Sequence, residues 1–408
     1  MNKHQRNFAA MFCLLLINVK ATAQTDSTAL KPTELKAPKS SNWAEKVSIR
    51  GYMQTRYNRL LETNAQLKCE QCDRSWGENG GVFVRRLRII FYGQISNQVY
   101  FYIQPDFAST ASTTNHIAQV RDAYLDLGLD KKNEFRLRIG QSKVPFGFEN
   151  MQSSQNRLPL DRNDALNSAV TNERDLGVFF YWAPSKTRQL YSSLVKDGLK
   201  GSGDYGVFAL GAYNGQTANQ LERNNRPHIV SRLSYPFQIG NQIIEPGIQA
   251  YTGKFVLLST SSKTKKAPNS EYLDRRAAAS FILYPKPFGI QAEYNVGVGP
   301  EFNKHKDSIE TRKLHGGYIT MSYLISMKGG TTLIPFVRGQ YYVGGKKHEL
   351  DARSYNVKEF EVGAEWQPSK YFELVVMYTI SERRFEDYVL RNNLQKGQLM
   401  RIQAQFNF

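Results

Sequence analysis

Arg86 and Arg88 flank Leu87 and are followed by Ile89 and Phe91. In an extended chain this puts two guanidinium groups on one side and a row of apolar side chains on the other. Arg136 and Arg138 repeat the arrangement among Phe135, Leu137 and Ile139. A guanidinium stays charged at any physiological pH, and its planar fork takes two oxygens of a phosphate or carboxylate at once. The chemistry such rows offer is reversible capture of oxyanions. The same alternation puts Arg50, Arg232, Arg276, Arg338 and Arg401 on the charged side, but Asp126 and Glu373 as well. The arginines could therefore equally solvate a wet surface and pair with those carboxylates. Lys143, Arg157 and Arg162 add basic groups in and after the fifth extended segment.

Covalent chemistry is poorly served. His116, His228, His305, His315 and His348 are scattered, and neither G-x-S-x-G nor H-E-x-x-H occurs. Gly201-Ser202-Gly203-Asp204-Tyr205-Gly206 matches G-x-G-x-x-G, but it precedes an alternating segment instead of opening a helix, so it reads as a flexible connection. Cys69 and Cys72 make one C-x-x-C, short of the four ligands of a structural zinc site and outside a βαβ setting. A small disulfide or two free thiols fit an exported loop. No metal, cofactor, nucleic acid or catalytic group enters the reading.

The elements that must position these arginines are strands. From Met400 to Phe408 apolar and polar residues alternate strictly, over a length suited to a tilted membrane-crossing strand, and the row ends on an aromatic residue as outer-membrane barrels do. Lys3 and Arg6, the apolar run Phe8 to Val19 and Ala21-Thr22-Ala23 predict a secretory signal over 1–23. Residues 24–42, rich in Thr, Lys, Pro and Ser, predict a flexible periplasmic lead-in. Mean hydropathy is −0.50 and the rest of the chain has no long apolar run, which excludes a helical membrane protein. A barrel needs no such run, because only alternate residues meet lipid. The 23 Tyr and 23 Phe suit aromatic girdles at both interfaces.

Alternating segments over 43–408 predict an all-β, antiparallel transmembrane barrel of about 16 strands. Short turns such as 285–287, 328–330 and 368–370 alternate with long polar loops, as in a porin with short periplasmic turns. Segment 184–204 is long for the short side, and a strand pair hidden there would raise the count to 18. Pro145 to Glu173 shows no strand period at all.

A series of motifs then resembles a known family. Val84-Arg85-Arg86-Leu87-Arg88, Asp122-Ala123-Tyr124-Leu125 and Gly140-Gln141-Ser142-Lys143-Val144-Pro145-Phe146 resemble the phosphate-selective porin O and P family, as do Glu173 to Val178 and Ala212 to Gly215. The resemblance is strong over 82–215. It implies a trimeric, 16-stranded outer-membrane channel narrowed by an inward-folded third extracellular loop, here Pro145 to Glu173. Physically, the Gly140 element is a strand end. Gly140 permits close backbone approach, Pro145 ends the ladder, and Lys143 reaches toward the lumen or toward loop carboxylates.

Removal of Lys3, Arg6 and Lys20 with the signal leaves 51 basic and 36 acidic residues, so the mature chain carries about +15. A positive pore concentrates anions. The expected function is passive diffusion of small hydrophilic solutes across the outer membrane of a Gram-negative bacterium, leaning toward anions such as phosphate. Arg86, Arg88, Arg136, Arg138, Lys143, Arg157 and Arg162 are the candidate pore residues, the last two facing Glu149, Asp161 and Asp164. Those charges could set a transverse field or simply hold the loop to the wall. A non-conducting adhesin or structural barrel is the alternative, ahead of a barrel enzyme. Small solutes, outer-membrane lipid and two further copies of the chain are the expected partners.

Overall fold

The computed structural model describes residues 43–59, 61, 63–69, 76, 80–111 and 114–408. The expected signal and lead-in, and Cys72, lie outside the described residues. Cys69 is disulfide-bonded.

Sixteen strands cross the barrel wall. The first seven are β1 (Ser48–Asn58), β2 (Gly81–Ser96), β3 (Val99–Ala111), β4 (Thr114–Gly128), β5 (Phe135–Lys143), β6 (Arg174–Trp182) and β7 (Phe208–Tyr213). Strand β8 is His228–Ser234 and resumes at Phe237–Ile239; both pieces pair with β9 (Gln242–Val256). Next come β10 (Glu271–Leu283), β11 (Phe288–Asn303) and β12 (Ser308–Tyr323, resuming at Ile325–Ser326). Both pieces of β12 pair with β13 (Thr332–Gly345), and β14 (Ser354–Ser369), β15 (Phe372–Glu386) and β16 (Asn393–Asn407) complete the set. Each strand runs antiparallel to the next, and β1 pairs with both β2 and β16, so the sheet closes. Closure satisfies the backbone without an edge, which a bilayer demands. Phe408 and Gly51 exchange backbone hydrogen bonds of 3.0 and 2.8 Å across the seam. Among the described residues no helix is long and apolar enough to cross a membrane.

The count is thus the lower of the two expected. Segment 184–204 contains a helix, α3 (Ser185–Lys196), instead of a strand pair. Its buried residues Thr187, Tyr191 and Leu194 recur at helical spacing, and they pack against Leu199, Ile243, Ile282 and Tyr284 inside the barrel. The β3–β4 hairpin also runs further than its Ser/Thr-rich sequence implies, with strand pairing up to Ala111 and Thr114.

Outward-facing Ile139, Val178, Leu210, Ile248, Ile319 and Val362 are exposed to the lipid, while Arg138, Phe179, Ala209, Gln249, Thr320 and Glu361 beside them are buried in the lumen. Aromatic residues gather at the short-turn end, where Phe372 lies 5.1 Å from Phe406 and 6.3 Å from Trp366. Ile139→Arg should cost about 2–4 kcal/mol if the site lies at the bilayer midplane. The check is denaturant unfolding of the protein from lipid vesicles, and an unchanged midpoint would contradict the outward assignment.

Two bulges break the alternation where it matters. Gln54 pairs with Arg86 and Thr55 with Val84, leaving Arg85 as the extra residue of β2. Gln104 pairs with Asp122 and Pro105 with Val120, leaving Arg121 as the extra residue of β4. A bulge re-aims a side chain that strict alternation sends to the other face.

Candidate functional site

The loop 144–173 enters the lumen and is buried along most of its length. Gly140 begins the departure from β5: it has φ +126°, and a Cβ there would lie 2.3 Å from the Ala123 carbonyl oxygen. Two short turns, α1 (Phe148–Met151) and α2 (Asp164–Asn167), give the loop its shape, the second capped by the Asn163 side chain accepting from the Leu166 N–H at 3.0 Å.

Ion pairs and hydrogen bonds hold this loop to the β9–β1 side of the barrel. The Glu293 carboxylate accepts from the Phe148 and Glu149 N–H groups at 2.6 and 2.9 Å. Arg338 pairs with Glu149 at 2.9 Å and with Glu361, and donates to the Asp161 carbonyl at 2.9 Å. Asp161 pairs with Arg56 at 3.2 Å and with Arg401, while Asp164 pairs with Lys346 and, at 2.9 Å, with Arg383. Arg276 donates to the Ser168 hydroxyl at 2.7 Å, and Asn295 to the Ala165 carbonyl at 2.9 Å. The expectation that Arg157 and Arg162 face Glu149, Asp161 and Asp164 is therefore corrected. The opposite wall takes all three carboxylates, since its inward arginines lie closer than those of the loop.

Arg157 and Arg162 turn instead to Glu173, at 3.8 and 3.1 Å, where Lys143 at 3.3 Å and Arg174 at 2.7 Å join them. Lys143 also donates to the carbonyls of Met151 and Gln152 at 3.1 and 2.5 Å, so it staples the loop base. Burial pushes the Glu173 carboxyl up, but Lys143, Arg162, Arg174 and Arg157 outweigh it and hold it well below the usual range. Burial pulls Arg162 down to about 10.

Beside this cluster, against the β2–β6 wall, lies a cavity of about 350 Å³. Arg85, Arg86, Arg88, Arg121, Arg162 and Arg174 line it, with Glu173, Glu349 and His348. Arg88 pairs with Asp106 at 2.7 Å, Arg121 with the same carboxylate at 3.5 Å, and Arg174 with Asp122 at 2.9 Å. Among the described residues Arg86 forms no ion pair; its Nη1 donates to Gln54 at 2.7 Å. Buried Arg157 leaves Nε and Nη1 without a hydrogen-bond partner.

A second cavity, of about 340 Å³, lies along the same wall toward the short-turn end, lined by Tyr100, Tyr124, Asp126, Arg136, Arg138, Arg188 and Asp204 among others. Here each arginine has an aspartate partner. Arg138 forms a two-pronged pair with Asp126 at 2.7 and 2.8 Å and lies 3.9 Å over the Tyr124 ring. Arg136 and Arg188 share Asp204 at 2.7 and 2.8 Å. Arg188 comes from α3, so the unforeseen helix completes this chamber. Arg232, Arg276, Arg338, Arg401, Asp126 and Glu373 are all buried in the interior, while Arg50 is exposed near the start of β1, 5.3 Å over the Tyr92 ring.

Sequence reasoning missed Arg85, Arg121, Arg174 and Arg188. One signal was available for the first two. Arg85-Arg86 and Arg121-Asp122 put consecutive charges in a membrane strand, and a bulge avoids exposing one of each pair to lipid.

A family model described as phosphate-selective porin O and P matches residues 62–408. This chain belongs to that family. The porin's fold is also that of solved outer-membrane barrels. OmpF of Salmonella typhi, in complex with daunomycin, is 12% identical with a TM-score of 0.55, covering 89% of this chain and 97% of that one. The outer membrane channel DcaP of Acinetobacter baumannii gives 12% and 0.53 over the same shares. OmpT of Vibrio cholerae gives 8% and 0.50, again over 89% and 97%. At such identities the likeness speaks for the barrel alone. Comparison with curated protein sequences found no match. Membership makes the chain an outer-membrane porin of a Gram-negative bacterium, a channel for small solutes.

The porin's loop anchors predict a pH response. Burial raises Asp164, but Arg383 and Lys346 outweigh it and depress the carboxyl to about 2. A depressed carboxyl contributes stability above its unfolded value of about 3.9, lost as pH falls through the folded one. Single-channel current should therefore stay quiet from neutral pH down to about 4, then flicker as pH approaches about 2. Asp164→Asn should remove the dependence on this group and make the current noisy at neutral pH.

Proposed function

We propose that this porin passes small hydrophilic solutes down their gradients and favours anions, phosphate and carboxylates among them. One observation carries the reading. The upper cavity brings six arginines together; five have carboxylate partners, but among the described residues Arg86 forms no ion pair, and Arg157 beside it holds Nε and Nη1 without an acceptor. Buried donors of this kind are costly unless an acceptor reaches them, and an oxyanion supplies both acceptor and countercharge. In the lower chamber three arginines share Asp126 and Asp204, so each is paired with an aspartate and none is left without a partner as Arg86 is above. Selectivity is then set above, and solutes leave through the paired chamber below.

The same reading takes residues 1–23 as removed on export and the barrel as a homotrimer, in keeping with the family resemblance. A general porin without ion preference is the second reading, favoured by the number of lumen arginines that already have aspartate partners.

The deciding experiment is single-channel current of the purified protein in a planar bilayer under a KCl gradient, followed by added phosphate. An anion-selective reversal potential, with chloride current reduced by phosphate, is expected. Conductance without selectivity would leave the general porin, and no conductance would sink both readings.

A further inference from the structure

The outer surface of the barrel is uneven. On β10 to β16 the lipid-facing side carries a groove of about 1050 Å³, floored by Ala279, Ala292, Gly317 and Gly339 and walled by Phe281, Tyr294, Tyr341 and Phe360. The strand register explains it. Phe281 pairs with Ala292, Ala292 with Ile319, Ile319 with Gly339 and Gly339 with Phe360, so Ala292 and Gly339 leave gaps on either side of Ile319 between two aromatic posts. Two further outward grooves meet this one at Tyr294. One, of about 450 Å³, is apolar, between Leu233, Ile248, Ala277 and Val296. The other, of about 520 Å³, lies toward the long-loop end and carries Arg275, Lys313 and His315.

Charge is segregated along this face. Arg275, Lys313, Lys358, Arg384 and Lys396 are exposed at the level of the large groove and above it. Each points outward, because its strand neighbours Asp274, Leu314, Glu359, Arg383 and Gln395 are buried inside. Carboxylates on the same outward rows are taken by cations, Glu382 by Lys396 at 2.8 Å, Glu386 by Lys304 at 2.7 Å and Glu271 by Arg226 at 3.7 Å. The Tyr341 hydroxyl donates to the Tyr294 hydroxyl at 2.9 Å, which marks the polar boundary. Aromatic residues and basic side chains at the edge of the hydrocarbon region belong to the headgroup level.

We infer that this face is a binding site for an anionic outer-leaflet lipid, of the phosphorylated glycolipid class. Its acyl chains fill the small-residue grooves, and its phosphates sit against Arg275, Lys313 and the cations beside them. The combination fits one amphipathic ligand: an apolar depression that no described residue fills, directly below a row of cations in which Arg275 and Lys313 form no ion pair among the described residues. Basic clusters beside membrane-embedded surfaces bind lipid phosphates, and an unfilled apolar groove forfeits contacts that acyl chains supply. A zwitterionic lipid leaves the cations unmatched.

The site can be tested without disturbing the lumen. Gly339 has open space where a Cβ would stand, so Gly339→Leu fills the groove without a backbone clash. Arg275→Glu with Lys313→Glu reverses the headgroup side. The full-length porin and both variants, in detergent, are incubated with diphosphoryl lipid A or with phosphatidylethanolamine and weighed by native mass spectrometry. The wild type should retain lipid A over phosphatidylethanolamine, and each variant should lose about tenfold or more of that retention. Single-channel conductance and heat-modifiable gel mobility should remain as in the wild type, which shows that the barrel is intact. Equal retention of both lipids, or retention unchanged in both variants, would overturn the site. So would loss of the oligomer in Gly339→Leu with lipid retention intact, which assigns the groove to a second copy of the chain.

Discussion

Replacing Arg86 and Arg157 together by Glu should swing the reversal potential of the channel from anion toward cation preference. Two unit charges about 8 Å apart interact by about 2 kcal/mol at an effective dielectric constant near 20. Each reversal changes the charge met by a passing ion by two units, although salt screens part of it. A permeability ratio shifted by about tenfold or more is therefore expected in dilute KCl. The effect should shrink in molar salt, where screening is strong. Arg136→Glu with Arg138→Glu should act in the same direction by a different route, since it leaves Asp126 without its partners and Asp204 with Arg188 alone. If the upper pair leaves the reversal potential where it was, the cavity between loop and wall does not set selectivity. Phosphate block should weaken in the upper double variant more than in the lower one, because the lower arginines are already satisfied by aspartates.

Arg338→Ala should have the largest effect on architecture. Arg338 is buried among Glu149, Glu361 and the Asp161 carbonyl, and its removal strands Glu149 in the interior and leaves Glu361 with Arg401 at 3.4 Å. Breaking a buried pair from one side costs about 3–5 kcal/mol, because a charge is left unmatched. Glu149 belongs to the inserted loop and Glu361 to β14, so the loss falls on the contact that pins the loop against the wall. Two measurements should respond together. Single-channel conductance should rise and grow noisy as the loop leaves its seat, and the heat-modified gel transition should move to lower temperature. A quieter or unchanged channel would mean that the other anchors, Asp161 on Arg56 and Arg401 and Asp164 on Lys346 and Arg383, hold the loop alone. Arg338→Lys keeps the charge but loses the fork, and should fall between the two.

Alternation of residue types is a local property, so much of the wall could be read from the chain itself. Period-2 runs from Leu87 to Phe91 and from Phe135 to Ile139 assign one side to lipid before any contact is known, and the inward burial of Arg86, Arg88, Arg136 and Arg138 follows from that period. The lack of period between Pro145 and Glu173 likewise marked a segment that is not wall. Other features rest on partners far away in the chain. Arg85 and Arg121 reach the cavity because neighbouring strands fall out of step by one residue, and a bulge is a relation between two strands. The carboxylates Glu149, Asp161 and Asp164 found arginines 105 to 240 residues distant in preference to Arg157 and Arg162 close by. Only closure of the barrel brings those groups within reach. The helix Ser185–Lys196 was hidden by its setting, since a connection on the short-turn side carries no expectation of helix and its apolar stripe is only three residues long. The charge of this porin and the two faces of its wall were thus written in the order of its residues, because alternation needs no partner. Which cations stay unmatched, and where the outer face is hollow, depended on pairings across the lumen and between strands, which no single segment contains.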